Sequence, residues 1–136
     1  MIFIDTGALL ARYITKDEHH GVATACWSEL QISKKRLFTS NFVVDETVTL
    51  LGRRAGCMFA AQRARALIAS RAISILRPES HHELEALKVF EKFADQRMSF
   101  TDCISFVLMR ANGIEHVFTF DHHFALSGFV IIPMKS

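Results

Sequence analysis

Short apolar runs alternate along the chain with longer segments in which apolar residues recur every three or four positions. Each run is rich in Ile, Val, Leu and Phe and is bounded by polar residues, which is typical of a strand buried on both faces of a parallel sheet. The pattern therefore predicts an α/β fold in which helices cover both faces of a parallel sheet. The predicted strands are residues 2–5, 37–39, 73–76, 117–120 and 129–132.

The segments with helical periodicity begin or end at residues typical of helix termini. Asp17, Ser80 and Ser99 are predicted to cap helices at their amino ends, because their side-chain oxygens accept hydrogen bonds from free N–H groups. Gly52 is predicted to end the third helix, since glycine weakens a helix. The predicted helices span residues 8–14, 17–33, 41–52, 57–70, 80–93 and 99–111.

The overall composition fits one globular domain without indicating a partner. The length of 136 residues and the mass of 15.4 kDa predict a single domain over residues 1–136. Apolar residues make up 50% of the chain, so a sizeable core can be buried. The net charge of +2 is too small to indicate nucleic-acid binding by itself, which would require a local basic patch.

The cysteines and the absence of long apolar segments bear on the cellular compartment. Cys26, Cys57 and Cys103 are an odd number without the spacing of a metal site, and each has apolar neighbours. We expect buried free thiols in a reducing environment. No leader-like segment opens the sequence, and no apolar run approaches membrane-spanning length. These features predict a soluble, cytoplasmic protein.

Four acidic residues stand where predicted strands end or helices begin. Asp5 and Asp121 each follow an apolar run directly, and Asp102 lies three residues after Ser99. Glu46 lies just inside the third predicted helix. Because the carboxyl ends of parallel strands meet at one edge of a sheet, we expect the four carboxylates to form one site there.

Helix capping is an alternative explanation for three of these acids. Asp is a favoured N-cap, so Asp5 and Asp121 could each serve a helix or a turn. Asp102 and Ser99 match a capping box, in which each side chain accepts the other residue's peptide N–H. Glu46 differs, because its helical neighbours are largely apolar and a carboxylate among them is costly unless it is paired or binds a metal.

Gathered carboxylates repel one another, by about 4 kcal/mol per pair at 4 Å with an effective dielectric constant of 20. A divalent cation offsets that repulsion, and carboxylates alone suit a hard ion such as Mg²⁺ or Mn²⁺. The adjacent His122 and His123 could suggest zinc, but adjacent side chains rarely converge on one ion and no third ligand has suitable spacing. The acids therefore indicate Mg²⁺- or Mn²⁺-dependent chemistry on phosphodiesters.

Four short motifs occur in a specific order, and together they resemble a known family. They are FIDTGA at residues 3–8, TSNFVVDE at 39–46, SFTDC at 99–103 and FTFDHHF at 118–124. In this order and spacing they resemble PIN-domain ribonucleases, in the form found in VapC-type toxins of bacterial type II toxin–antitoxin pairs. The resemblance covers essentially the whole chain.

The resemblance implies a three-layer α/β/α sandwich with a five-stranded parallel sheet, and endonucleolytic cleavage of RNA that depends on Mg²⁺ or Mn²⁺. It matches Asp5, Glu46, Asp102 and Asp121 to the family's catalytic, metal-binding quartet. Asp5 and Asp102 would bind the principal ion, while Glu46 and Asp121 would complete its outer coordination. Hydrolysis would leave a 5′-phosphate and a 3′-hydroxyl.

The resemblance also implies further features of the site and its partners. It matches Thr6 and Ser99 to hydroxyl positions that support the acids. It implies an RNA substrate, a cognate VapB-like antitoxin and a homodimer.

Four arginines are candidates for holding RNA. Arg53 and Arg54 follow Glu46 by two helical turns, and Arg63 and Arg65 lie on the next predicted helix. They could neutralise RNA phosphates near the acids, or they could form an ordinary solvated face.

Three alternative functions remain open. A retroviral-type aspartic protease would explain the triplet Asp5-Thr6-Gly7, although such proteases are mostly β and helical periodicity dominates here. A non-catalytic module could use the acidic pocket to bind a basic partner peptide. A solitary RNA-processing nuclease would keep the same chemistry without an antitoxin.

Overall fold

Five parallel strands form one sheet at the centre of the molecule, in the order β3-β2-β1-β4-β5. The structure is a computed structural model, and it describes residues 1–134. The strands are β1 (Ile2–Ile4), β2 (Leu37–Ser40), β3 (Ile73–Leu76), β4 (His116–Phe118) and β5 (Val130–Ile132). The prediction of a five-stranded parallel sheet is therefore confirmed.

Helices cover both faces of this sheet. In β1 and β4 the consecutive residues Phe3, Ile4, Val117 and Phe118 are all fully buried, at 0% exposure. Because neighbouring residues of a strand point to opposite faces, neither face of the central strands reaches solvent. The three-layer α/β/α arrangement is thereby confirmed. The helices are α1 (Thr6–Tyr13), α2 (His20–Ser33), α3 (Asn41–Ala55), α4 (Cys57–Ala69), α5 (Ser80–Lys92), α6 (Phe100–Ala111) and α7 (His123–Leu126).

Two predicted helix caps were wrong. Asp17 does not cap α2, because its Oδ1 accepts the peptide N–H of His19 at 2.8 Å and forms a turn, so the helix begins at His20. Ser80 is the first residue of α5 rather than its cap. Glu79 is the cap, in a capping box with His82.

The third helix and the two last strands also differ from their predicted limits. Helix α3 continues past Gly52 to Ala55 and ends where Gly56 adopts a φ of 95°, which an L-residue rarely adopts. Strand β4 ends at Phe118, two residues early, because the N–H of Asp121 bonds to the Thr119 hydroxyl and the chain turns there. Strand β5 begins at residue 130, one residue later than predicted.

Other small differences concern short elements and one cysteine. Helix α1 begins two residues before its predicted start, at Thr6. Helix α7 and a 3₁₀ turn at Ala94–Gln96 were not predicted from the sequence. Cys26 and Cys103 are buried free thiols, as expected, but Cys57 is exposed as the first residue of α4. None of the helices within residues 1–134 is long and apolar enough to cross a membrane.

The carboxyl ends of several strands lie side by side at one edge of the sheet. Asp5 follows β1, Ser40 ends β2, and Thr119 follows β4. The Thr39 hydroxyl donates to the Ile4 carbonyl at 2.8 Å, which ties β2 to β1 immediately before Asp5. The peptide N–H of Asp5 in turn donates to the Phe118 carbonyl at 3.0 Å. The strand ends are therefore firmly connected where the acids lie.

Candidate active site

Asp5 is a buried carboxylate that does not cap the helix it precedes. It occupies the N-cap position of α1, but its side chain makes no capping hydrogen bond. Its Oδ2 accepts the Thr119 hydroxyl at 2.7 Å, while Oδ1 is buried without a hydrogen-bond partner within residues 1–134. The residue is only 4% exposed. The capping explanation of Asp5 was thus wrong, and its unpartnered oxygen is available to a ligand.

Thr119 connects two of the four acids. Its hydroxyl donates to Asp5 Oδ2 and accepts the peptide N–H of Asp121 at 3.0 Å. The residue is 1% exposed, so both bonds are shielded from water. Thr119 was not predicted as a site residue, although a polar residue inside the apolar run 117–120 is a signal, because a buried hydroxyl needs partners.

Asp102 lies at the start of α6, in the predicted capping box. Its peptide N–H donates to Ser99 Oγ at 3.0 Å, and its Oδ2 accepts the Ser99 N–H at 3.3 Å. The capping explanation is therefore confirmed, but the hydrogen bonds of this carboxylate among the described residues run only through Oδ2. Oδ1 is left for another interaction. One side chain thus caps a helix and contributes to the acidic site.

The charges show that Glu46 belongs to the same cluster. It lies on α3 and is partly buried, whereas its neighbour Asp45 is exposed. The charge of Glu46 raises the pKa of both Asp5 and Asp102. The structure therefore brings Glu46 close to the other two acids and leaves Asp45 outside.

Asp121 is joined to the cluster by a histidine that the sequence analysis had discounted. Asp121 Oδ1 lies 2.9 Å from His123 Nδ1 and accepts the peptide N–H of His123, also at 2.9 Å. The same Nδ1 lies 3.9 Å from Asp102 Oδ2. Donor atoms of Asp121, His122 and His123 all lie within 4.8 Å of one another. The short helix α7 makes this convergence possible, and it was not predicted.

The pKa values of two carboxyl groups identify the acids as one electrostatic unit. Burial, then the charge of Asp102, raises the pKa of Asp5 from 3.8 to about 7, against the opposing hydrogen bond from Thr119. Burial, then the charge of Asp121, raises the pKa of Asp102 from 3.8 to about 6. Such shifts reflect buried carboxylates that face one another, and His123 offsets the rise in the pKa of Asp102 only in part.

These residues fit a divalent cation. Asp5 presents a buried, unpartnered oxygen, and mutual repulsion destabilises the ionised acids. Carboxylate oxygens are the usual ligands of hard divalent ions, which would supply the missing charge. Asp5 and Asp102 are the most buried candidates for direct ligands, and Glu46 and Asp121 are more exposed.

The two predicted supporting hydroxyls have different surroundings. Ser99 Oγ accepts the N–H of Asp102 and so supports the site through helix capping. Thr6 Oγ1 is buried without a hydrogen-bond partner within the described part of the chain. Thr6 therefore has an unused polar atom next to Asp5.

The four candidate arginines are dispersed along α3 and α4. Arg63 packs its guanidinium over two aromatic rings, 5.5 Å from the centre of Tyr13 and 5.1 Å from that of Phe59. Arg54 Nη1 lies 3.6 Å from Asp17 Oδ2. Arg53 and Arg65 are exposed. No ion pair within residues 1–134 joins any of the four to the acidic cluster.

Comparison with protein families identifies this arrangement. The family model described as "PIN domain" matches residues 2–129. The chain belongs to the PIN-domain family. The resemblance carried by the four motifs is confirmed, and the α/β fold excludes the mostly-β aspartic protease. That one PIN domain spans all of residues 1–136 stays a prediction, since Lys135 and Ser136 lie outside the described residues.

Relatives of this PIN domain carry VapC names. The 23S rRNA-specific endonuclease VapC20 of Mycobacterium tuberculosis is 35% identical over 130 residues, which is 96% of each chain. A VapC ribonuclease of Archaeoglobus fulgidus is 30% identical over 125 residues, covering 90% of this chain and 78% of that protein.

Solved structures agree with the sequence comparison. The crystal structure of M. tuberculosis VapC20, described as a Sarcin-Ricin loop cleaving toxin, matches with a TM-score of 0.86 and 34% identity over 96% of this PIN domain and 97% of that chain. DNA-bound VapBC from Salmonella typhimurium matches with a TM-score of 0.68 over 96% and 95% of the two chains. At 13% identity, the second match supports the fold alone.

The position of Thr119 makes a prediction about metal binding. We expect Thr119→Val to weaken Mn²⁺ binding by roughly 10- to 100-fold, because the hydroxyl that orients Asp5 is lost. Isothermal titration calorimetry measures the affinity. Thr39→Val is the matched control, since Thr39 is also buried but donates to a backbone carbonyl. An equal loss in both variants, or none in Thr119→Val, would contradict the orienting role.

Proposed function

We propose that this PIN domain is a metal-dependent endoribonuclease and the toxin of a toxin–antitoxin pair. The observation that supports it most is the buried Asp5 carboxylate, whose Oδ1 has no partner in the described residues and whose pKa is raised by the charges of Asp102 and Glu46. Structural packing alone does not explain such a group, because burying an unpaired charge is costly. The VapC names of the relatives agree with this function.

The chain's own residues would divide the work as follows. A bound Mg²⁺ or Mn²⁺ would activate water and stabilise negative charge on the phosphate. Asp5 and Asp102 would hold the ion directly, and Thr119 and Ser99 fix the orientation of these two carboxylates. Glu46 and Asp121 would complete its outer coordination, and burial of the cluster limits competing bulk water.

His123 bears on the choice between the two ions. Its Nδ1 lies 2.9 Å from Asp121 Oδ1 and near Asp102, so a ring nitrogen is present among the oxygen ligands. First-row transition metals accept imidazole, whereas Mg²⁺ takes oxygen ligands. We therefore propose that Mn²⁺ supports cleavage better than Mg²⁺ does.

The experiment that tests the function is cleavage of defined RNAs by the purified protein, free of any small co-purifying partner. Because the relative VapC20 is named a 23S rRNA-specific endonuclease, the panel includes 23S rRNA and its Sarcin-Ricin loop beside unstructured RNAs. We expect cleavage with Mn²⁺ and Mg²⁺ and none with EDTA. Cleavage that persists in EDTA would contradict the mechanism. Absence of turnover with either ion, from folded protein, would favour a module that only binds a basic partner.

We also propose two protein partners. The relative VapC20, at 34% identity, is described as a toxin, so a VapB-like antitoxin is the expected regulator. Inhibition of cleavage by the product of a small adjacent gene would support this, whereas a chain without such an inhibitor would be a solitary nuclease.

A homodimer is supported by exposed apolar side chains on α5, namely Leu84, Leu87 and Phe90. A monomeric mass in light scattering at micromolar concentration would contradict it.

The arginines give a prediction about RNA binding. We propose that Arg53 and Arg65, which are exposed, contact RNA phosphates more than Arg63, which is engaged with aromatic rings. The variant Arg53→Ala/Arg65→Ala should bind RNA more weakly and with a shallower dependence on salt, since fewer counterions are released. The control is Lys35→Ala/Arg36→Ala, which removes the same charge from two exposed residues just before β2. An unchanged salt slope in the double variant would reject the role.

A further inference from the structure

An aromatic pair lies next to the acidic cluster and takes no part in it. The rings of His19 and Phe120 are stacked, with centres 4.2 Å apart and planes 3° from parallel. His19 lies in the loop between α1 and α2. Phe120 stands between Thr119 and Asp121, the two residues linked by the hydrogen bond described above. The stack is therefore joined directly to the segment that forms the site.

The inner ring of this pair is fixed by the fold. Phe120 packs against the core, with its ring centre 6.1 Å from that of Phe118 in an edge-on arrangement. Gly7 in α1 lies beside the same ring, because a side chain in its place would come into contact with Phe120. Phe120 thus packs between the core and α1, and it presents one face to His19.

The outer ring is half open to solvent. The side chain of His19 is 43% exposed, and its ring contacts Glu18 Oε1 at 3.3 Å, a carboxylate that is itself 85% exposed. His19 contributes nothing to the buried core. A planar ring held parallel to a fixed aromatic residue, with the remaining area facing water, is the geometry on which a nucleobase stacks.

A positive charge on α3, that of Arg54, lies against the same loop. Asp17 accepts the His19 N–H through Oδ1 at 2.8 Å, and its Oδ2 lies 3.6 Å from Arg54 Nη1. The Arg54 side chain is 53% exposed. Guanidinium groups bind phosphates and aromatic rings bind base faces, and proteins that hold single-stranded nucleic acid combine the two.

We propose that the His19–Phe120 pair is a base-stacking platform that holds one unpaired nucleobase of the RNA beside the phosphate at the acidic cluster. Arg54 contacts a neighbouring phosphate of the same strand. This inference rests on the ribonuclease function proposed above and adds a substrate requirement to it. Because every base has a π-face, the platform selects an unpaired nucleotide rather than a particular base.

The test measures RNA binding without cleavage, so every protein carries Asp102→Asn. Short single-stranded RNAs are compared with copies in which one base is removed, and the abasic position is moved along the strand. We expect His19→Ala to weaken binding of intact RNA by roughly 5- to 100-fold. When the missing base is the one that stacks on the platform, the Asp102→Asn parent protein and its His19→Ala variant should bind the abasic RNA with equal affinity. His19→Phe should restore stacking and binding.

A matched control and the opposite outcomes make the test decisive. His116 is an exposed histidine that begins β4, at the opposite edge of the sheet, so His116→Ala should bind like the parent. The platform is overturned if His19→Phe binds as weakly as His19→Ala, or if no abasic position removes the difference. If the wild-type protein cuts RNA but the effect of His19→Ala does not depend on the abasic position, only the platform proposal fails. If it neither cuts nor binds RNA, the ribonuclease proposal fails with it.

Discussion

Asp5→Asn should reduce RNA cleavage by at least about a thousandfold, or ~4 kcal/mol of transition-state stabilisation, while the fold is retained. The substitution keeps the shape of the side chain and an oxygen that accepts the Thr119 hydroxyl. It removes the charge from the buried Oδ1, the atom that has no partner among the described residues. A neutral amide oxygen binds a divalent ion far less strongly than a carboxylate does. Cleavage rates at saturating Mn²⁺, with circular dichroism spectra of both proteins, measure the effect.

A neighbouring acid provides the control for that experiment. Asp45 lies on α3 beside Glu46 but is exposed and outside the cluster. Asp45→Asn changes the net charge by the same amount as Asp5→Asn, so it should cut RNA at the wild-type rate. Full activity in Asp5→Asn, with metal still required, would rule out the assigned site. A comparable loss in Asp45→Asn would show that the effect is one of overall charge.

The second large effect concerns stability in the absence of metal. In the folded protein the pKa of Asp5 is about 7, against 3.8 for an exposed carboxyl. Below about pH 4 both the folded and the unfolded states carry this proton. Between pH 4 and 7 the unfolded state releases it first, so the free energy of unfolding falls as the pH rises, and above pH 7 the loss is complete. From pH 5 to pH 8, ionisation of Asp5 alone should lower the free energy of unfolding by on the order of 2–3 kcal/mol.

Denaturant unfolding in EDTA at pH 5 and pH 8 tests this prediction. Wild-type protein should lose stability over that range, and Asp5→Asn should lose about 2–3 kcal/mol less, since it has no proton to release there. Mn²⁺ at pH 8 should restore the stability of the wild type and act only weakly on the variant, because a ligand that binds the folded state stabilises it. Identical pH dependence of the two proteins would contradict the raised pKa of Asp5.

The fold was predictable from the sequence because its strands are buried on both faces. In β1 every position is buried, and in β4 both residues after the exposed His116 are, so apolar runs alone identify these central strands. The errors lie where one side chain competes with the backbone. Asp17 binds an N–H in a turn and delays the start of α2, and Thr119 ends β4 early by binding the N–H of Asp121. Such local hydrogen bonds depend on partners that residue type alone does not specify.

The four acids and Ser99 could be predicted from the sequence, but two other residues that organise the acids could not. Asp5 and Glu46 stood out because carboxylates are rare among apolar neighbours. Thr119 and His123 act through contacts between separate segments. The Thr119 hydroxyl reaches an acid 114 residues earlier in the chain, and the His123 ring turns toward Asp102 because α7 forms after β4. Long-range partners of this kind are set by the packing of the sheet and helices, which short motifs do not record.

The capping box at Ser99 has a consequence for how this protein could lose its activity over generations. In the proposed function Asp102 serves the chemistry, and it also accepts the Ser99 N–H at the start of α6, so its loss removes one capping-box hydrogen bond, at a cost of about 1 kcal/mol. Asp5 makes no capping bond, and in the metal-free protein its charge weakens the fold. Cells in which the protein is toxic survive if a substitution inactivates it. Among the inactive variants that still fold well, substitutions at Asp5 should therefore be more frequent than substitutions at Asp102. Sequencing of survivors after random mutagenesis would reveal that bias.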